Sequence, residues 1–292
     1  MKNKALRYLL NNDPKKVLSK PSTILRKIIS PFYRNVILSL ACKRKLVVVH
    51  KAEIPQNKRI IFTPTHGFRD DVPFSQIIVG KQAYILCGSL PEFYESIDGW
   101  ILWLSGTINV DRNDKSSRAA AKSKMEYAMQ LGSDIIMYPE GAWNVTENLI
   151  VDKLFPGVYD LAKSTGAWIM PIALVQTEKN VYAILDEAFD ITQYDCKEGL
   201  IELRDRMATR KYELMEKYAV GKRSDYDETQ KYWEKYLDDL VAEIDYRYDY
   251  ETESRSHFID KSITEYKDAF EHLQLLVPNK SNTFLFSKRI HN

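Results

Sequence analysis

Between Asp13 and Glu53 the chain has no aspartate or glutamate. Residues 1–60 hold 15 Lys/Arg against 2 Asp/Glu, a net of +13, while the rest holds 27 against 38, a net of −11. A basic arm on an acidic body points to an anionic partner. Cysteine is scarce too. Cys42, Cys87 and Cys196 are far apart and odd in number, which argues against a disulfide framework and against zinc-ligand spacing. A reduced, cytoplasmic compartment fits that usage. No apolar run approaches the roughly 18 residues of a membrane-spanning helix. Lys2, Lys4 and Arg7 are not followed by an apolar core or a small-residue cleavage site, so no signal peptide is expected. There is no Walker loop, no G-x-G-x-x-G after a strand and no G-x-S-x-G elbow, so nucleotide, redox-cofactor and serine-hydrolase chemistry are not implied. No metal is implied either.

With 45% hydrophobic residues the 292-residue chain can bury a sizeable core. It divides into three regions of different character: 1–44, 45–191 and 192–292. In the first, Pro14 and Pro21 read as breakers, Ser22 as a cap for a helix from Thr23, and Pro31 as a kink or interruption of it. Ile24, Leu25, Ile28, Ile29, Phe32, Val36, Ile37 and Leu40 recur at helical spacing, flanked by Arg26, Lys27, Arg34, Lys43, Arg44 and Lys45. Such a basic amphipathic segment, residues 15–45, suits an anionic membrane surface, with the protein peripheral on its inner face. A helix packed on the core with a solvated charged face is the competing reading. A nucleic-acid arm need not be amphipathic, and the acidic body opposes one, so no nucleic acid is expected.

From 45 to 191 short β-branched runs alternate with helical stretches. Strands are predicted at 46–49, 59–62, 83–86, 107–110, 134–138, 168–175 and 181–185; helices at 72–79, 92–104, 116–131 and 157–164. This pattern predicts an α/β fold, a mostly parallel sheet flanked by helices. Residues 192–292 predict a helical appendage with long charged helices at 197–219 and 228–247. A turn is expected near 278–282, before a short apolar tail at 283–286.

The chemistry-bearing residues sit where strands stop. Residues 60–71 read IIFTPTHGFRDD: an apolar strand, a tight turn, then His66 and Asp71 five residues apart. A His-X4-Asp match alone is weak and is compatible with a loop histidine. Three further segments strengthen it: GTINVDR at 106–112, YPEG at 138–141 and MPI at 170–172. Pro171 inside an apolar run argues for a sheet edge, a strand end or a bulge. If the strands are neighbours, His66, Asp71, Arg112 and Glu140 converge on one rim. Arg112 could instead pair with Asp111 or Asp114, and Glu140-Gly141 could be a simple turn.

The ordered series resembles the four blocks of the glycerophospholipid acyltransferase family, the group containing the 1-acylglycerol-3-phosphate acyltransferases. The resemblance covers residues 66 to 172 and says nothing of 192–292. It implies an acyltransferase of phospholipid metabolism in which His66 is the general base and Asp71 orients it. It implies that Arg112 binds an anionic group of the acceptor, and that Glu140 and Gly141 shape the acceptor site, with the Gly141 N–H facing a developing oxyanion. The co-substrate would be acyl-CoA or acyl-carrier protein, and the acceptor a lipid or polyol hydroxyl. Asp70 is off the family spacing and reads as a solvated neighbour. The family usually has Thr-Arg after Glu-Gly; here Ala142 and Trp143 replace a hydroxyl and a cation with an apolar surface. Trp143 is therefore expected to stack on the acceptor, which would depend less on phosphate. A catalytically degenerate lipid-binding scaffold on anionic membrane is the alternative to an enzyme.

Overall fold

A computed structural model describes residues 13–88, 97–144, 149–219 and 226–243. Residues 1–12 and the turn and tail expected at 278–286 lie outside them, as do the first residues of the helix expected at 92–104. Seven strands, β1 (Lys45–Lys51), β2 (Ile60–Pro64), β3 (Ala83–Gly88), β4 (Thr107–Val110), β5 (Asp134–Ile136), β6 (Trp168–Gln176) and β7 (Asn180–Leu185), form one sheet. Their order is β1-β7-β6-β2-β5-β3-β4. Among the described strands β6 and β7 pair antiparallel and the other strand pairs are parallel. The fold class read from the alternating pattern therefore holds.

The helices are α1 (Pro14–Val17), α2 (Lys20–Phe32), α3 (Asp71–Val79), α4 (Ile97–Ser105), α5 (Lys115–Gln130), α6 (Gly157–Thr165), α7 (Cys196–Tyr218) and α8 (Tyr226–Ala242). Strand side chains alternate between the two faces of the sheet, and β2 shows the result. Ile61 joins a core with Met125 of α5, Leu161 of α6 and Leu203 of α7. Ile60 and Phe62 join another with Phe74 of α3, Leu102 of α4 and Leu237 of α8. β2 is thus buried on both faces at the middle of the sheet.

Pro21 and Pro171 depart from expectation, whereas Pro31 does not. Pro21 sits in the first turn of α2, where a missing N–H costs nothing, and Ser19, not Ser22, caps the helix by accepting from the Ser22 N–H at 3.3 Å. Pro31 interrupts the regular helix: α2 ends one residue later, at Phe32, and the chain continues into a π-helical segment, Tyr33–Leu38, and one more turn, Ser39–Ala41. Pro171 lies within an interior strand rather than at an edge. Its carbonyl accepts from the Asp186 N–H at 2.9 Å, just beyond the last β6–β7 pair, Ile172 with Leu185. The missing N–H faces that same flank, where the antiparallel ladder has ended.

Among the described residues no helix is long and apolar enough to cross a membrane. α2 packs the opposite way from an ordinary surface helix. Thr23 and Ser30 are buried, while Ile24, Leu25, Ile28 (70% exposed) and Phe32 (63%) face outward, followed by Val36 and Leu40. The reading of this helix as packed on the core with its charged face solvated is thereby overturned.

Candidate active site

β2 carries the chain into the site. Beyond its last residue, Thr65 prolongs the pairing with β6: its N–H donates to Ile172 O at 2.9 Å and its Oγ1 accepts from the Leu174 N–H at 3.1 Å. His66 follows, at the carboxyl end of a central parallel strand, where open α/β sheets hold their ligands. The HGFRDD loop then winds around one carboxylate oxygen. Asp71 Oδ2 lies 2.9 Å from His66 Nδ1 and accepts from the N–H groups of Gly67 at 2.8 Å and Phe68 at 3.1 Å. Asp71 is wholly buried and opens α3, whose amino-terminal dipole favours a carboxylate. Its other oxygen, Oδ1, has no hydrogen-bond partner among the described residues. Tyr138 closes one side, its ring centroid 4.3 Å from that of His66. Its hydroxyl bonds Ser75 Oγ at 3.0 Å and Asp71 O at 3.2 Å. Burial, and next the charge of Asp71, push that phenol well above its ordinary range.

β5 supplies the second part. Glu140 is buried, and both of its oxygens accept backbone N–H groups: Oε1 from His66 at 3.0 Å and Oε2 from Asp152 at 2.9 Å. It braces the loop that carries the imidazole. Burial raises its carboxyl above the usual range, countered first by the nearby Lys211 ammonium. Gly141 adopts φ 74°, a left-handed conformation that favours glycine. Its N–H donates to Tyr138 O at 3.0 Å, so the expectation that it faces an oxyanion is not met. Arg112, after β4, donates to Gly141 O at 2.6 Å, bridging two strand ends. The rim thus brings together His66, Asp71, Arg112, Glu140 and Gly141.

Two expectations are corrected. Trp143 is only 9% exposed and lies edge-on to His66, centroids 6.3 Å apart. It belongs to the apolar core under the imidazole and is not an open stacking platform. Asp70 is not solvated but wholly buried, accepting from the Lys43 N–H at 3.0 Å and Arg69 Nη1 at 2.8 Å, with Arg44 at 3.8 Å. Arg44 also donates to both oxygens of Glu243, at 3.1 and 2.7 Å. Asp70 therefore ties the basic arm to the HGFRDD loop, and Arg44 carries the link on to Glu243 after α8, while the neighbour of Asp70 serves His66.

His66 opens onto a cavity of about 390 Å³. Apolar side chains make up much of its wall: Phe68, Leu149, Ile150, Leu174, Val175 and Met215. The C-terminal helices complete it with Lys211 and Met215 of α7 and Tyr232 and Tyr236 of α8. Sequence reasoning missed these four residues. They lie more than 140 positions after His66 on charged helices, where only the four-residue spacing of Lys211, Met215 and Ala219 hints at a shared face. Among the described residues no group of three or more His, Cys, Asp or Glu could hold a metal ion.

Residues 45–175 match the family model described as Acyltransferase. No curated protein matches the chain in sequence. Among solved structures, the chain is similar to the 1-acyl-sn-glycerophosphate (LPA) acyltransferase, PlsC, from Thermotoga maritima. The overlay has 17% identity and a TM-score of 0.48, and covers 70% of this chain and 84% of that one. The family match spans β1 to β6, from His66 and Asp71 through Glu140 to Pro171. Residues 45–175, just under half of the chain, are thus similar to the acyltransferase family.

Proposed function

We propose that this protein is a membrane-surface O-acyltransferase that moves a fatty acyl group from an acyl thioester to a hydroxyl of a lysophospholipid or related lipid or polyol. The observation that carries the reading is the His66–Asp71 pair, 2.9 Å apart, at the mouth of a largely apolar cavity. The donor is acyl-CoA or acyl-carrier protein. The chain works as three parts: a membrane-facing segment, 1–44, the catalytic core, 45–191, and a helical extension, 192–292.

In this mechanism Asp71 holds the Nδ1–H of His66, which leaves the Nε2 lone pair for the acceptor. Nε2 takes the hydroxyl proton as the oxygen attacks the thioester carbonyl carbon. The tetrahedral intermediate collapses, the C–S bond breaks, and the imidazolium returns its proton to the leaving thiolate. An ester and a free thiol result, and the imidazole is regenerated. The Asp71 carboxylate stabilises the imidazolium in between, at a buried site where that interaction is stronger than in water. Leu174, Val175 and Met215 offer an apolar lining for the acyl chain.

Two features support action at an anionic membrane on its inner, cytoplasmic face. The arm has no acidic residue between Asp13 and Glu53. The apolar stripe of α2 points away from the body, and exposed apolar area of this kind marks an interaction surface.

The test is thiol release from palmitoyl-CoA, with anionic vesicles and a panel of lysophospholipids and lipid-linked polyols. His66→Ala should lower turnover roughly 10³-fold or more, as expected for loss of a general base whose partner remains. Vesicle binding should persist in the variant. Wild type that releases no thiol from CoA or carrier-protein donors, yet binds vesicles, would replace the enzyme reading with the scaffold.

A further inference from the structure

The third family block lacks its usual cation, and the buried Ala142 and Trp143 in its place put no charge in the cavity. Arg112 is directed to Gly141 O and is not among the residues lining the cavity. One Lys or Arg does line it among the described residues: Lys211, from α7, in the cavity onto which His66 opens. Lys211, Met215 and Ala219 lie four residues apart, so one stripe of α7 presents an ammonium followed by apolar surface to the cavity. That sequence of groups matches a phosphate monoester attached to an acyl chain. Burial holds the Lys211 ammonium below its ordinary range, opposed first by the charge of Glu140 and then by that of Asp71. Both carboxylates are already committed, to His66 and to backbone N–H groups. We infer that Lys211 binds the anionic phosphate monoester of the acceptor in the His66 cavity, taking over from a remote helix the role of the missing motif arginine.

This inference rests on the acyl-transfer reading, and its test separates the two. Full-length wild type, Lys211→Gln and Lys211→Arg are titrated with glycerol 3-phosphate and with inorganic phosphate by calorimetry. Each is then assayed with lysophosphatidate and with monoacylglycerol as acceptor. Lys211→Gln should weaken glycerol 3-phosphate binding about tenfold or more, the usual scale for a charge-assisted hydrogen bond, and Lys211→Arg should retain most of it. The KM for lysophosphatidate should rise at least tenfold more than the KM for monoacylglycerol. Equal losses with both acceptors would assign Lys211 to the oxyanion or to folding and overturn the inference. So would unchanged glycerol 3-phosphate binding, or inorganic phosphate bound as tightly as glycerol 3-phosphate. If wild type releases no thiol, the acyl-transfer reading fails, while the titrations still decide Lys211: binding lost in Lys211→Gln supports it, and no wild-type binding overturns it.

Discussion

Helices α2 and α6 both carry an apolar stripe, and they use it in opposite directions. α6 buries Val158, Tyr159, Leu161 and Ala162 against the sheet and turns Asp160 and Lys163 to solvent. α2 buries Thr23 and Ser30 and turns Leu25, Ile28 and Phe32 outward. The surface beneath each helix explains the difference. Under α6 lie apolar side chains such as Ile61 and Ile135. Under α2 lie polar groups that need partners. Thr23 Oγ1 meets the Tyr84 hydroxyl at 2.9 Å, Arg26 donates to Trp103 O at 2.8 Å and to Leu104 O, and Lys27 donates to Gly132 O at 2.7 Å. Trp103 and Leu104 lie in the last turn of α4, and Gly132 follows α5, so these cations add donors to carbonyls at two helix ends. A stripe shows that a helix is amphipathic; the partner surface decides which side goes in.

The comparison is broken most directly by truncating one apolar residue in each helix. Leu161→Ala should cost about 2–5 kcal/mol, because it opens a cavity in the core. Ile28→Ala should stay within about 0.5 kcal/mol in urea unfolding without lipid, because that side chain is already in water. Equal losses would mean that Ile28 packs against something in solution, and the two helices would then be alike.

The same logic separates what the sequence made legible from what it did not. The strands were readable because β-branched runs buried on both faces, such as 60–62, have no other stable environment. His66 and Asp71 were readable because five residues of chain suffice to fold a loop around one carboxylate. Asp70 was misread because adjacent aspartates look alike until the fold sends one to His66 and the other to Lys43 and Arg69. Trp143 was misread because a large aromatic after a turn can face either a ligand or the core. Lys211 was invisible: a lysine on a charged helix reads as solvated, and only tertiary packing brings α7 across the site. The direction of the α2 stripe was likewise undecidable without the carbonyls beneath it.

Lipid sharpens the comparison. Ile28→Ala combined with Phe32→Ala should weaken partitioning onto anionic vesicles by on the order of 3 kcal/mol, roughly a hundredfold, if both side chains enter the apolar layer. Raising the salt should weaken binding further, through the basic flank. Sedimentation with vesicles of increasing anionic fraction measures both. Unchanged partitioning in the double variant would detach the stripe from the membrane.

A smaller effect than the loss in Leu161→Ala probes the inward face of α2. Tyr84 is almost wholly buried, and its hydroxyl pairs with Thr23 across 61 residues. Tyr84→Phe should cost about 1–3 kcal/mol, because it leaves the buried Thr23 hydroxyl without its partner. Adding Thr23→Val removes the orphan and should recover most of that loss, giving a positive coupling in a double-mutant cycle read by thermal unfolding. Vesicle partitioning should change little in either variant while the helix stays docked. Additive losses would show that the two hydroxyls do not depend on each other.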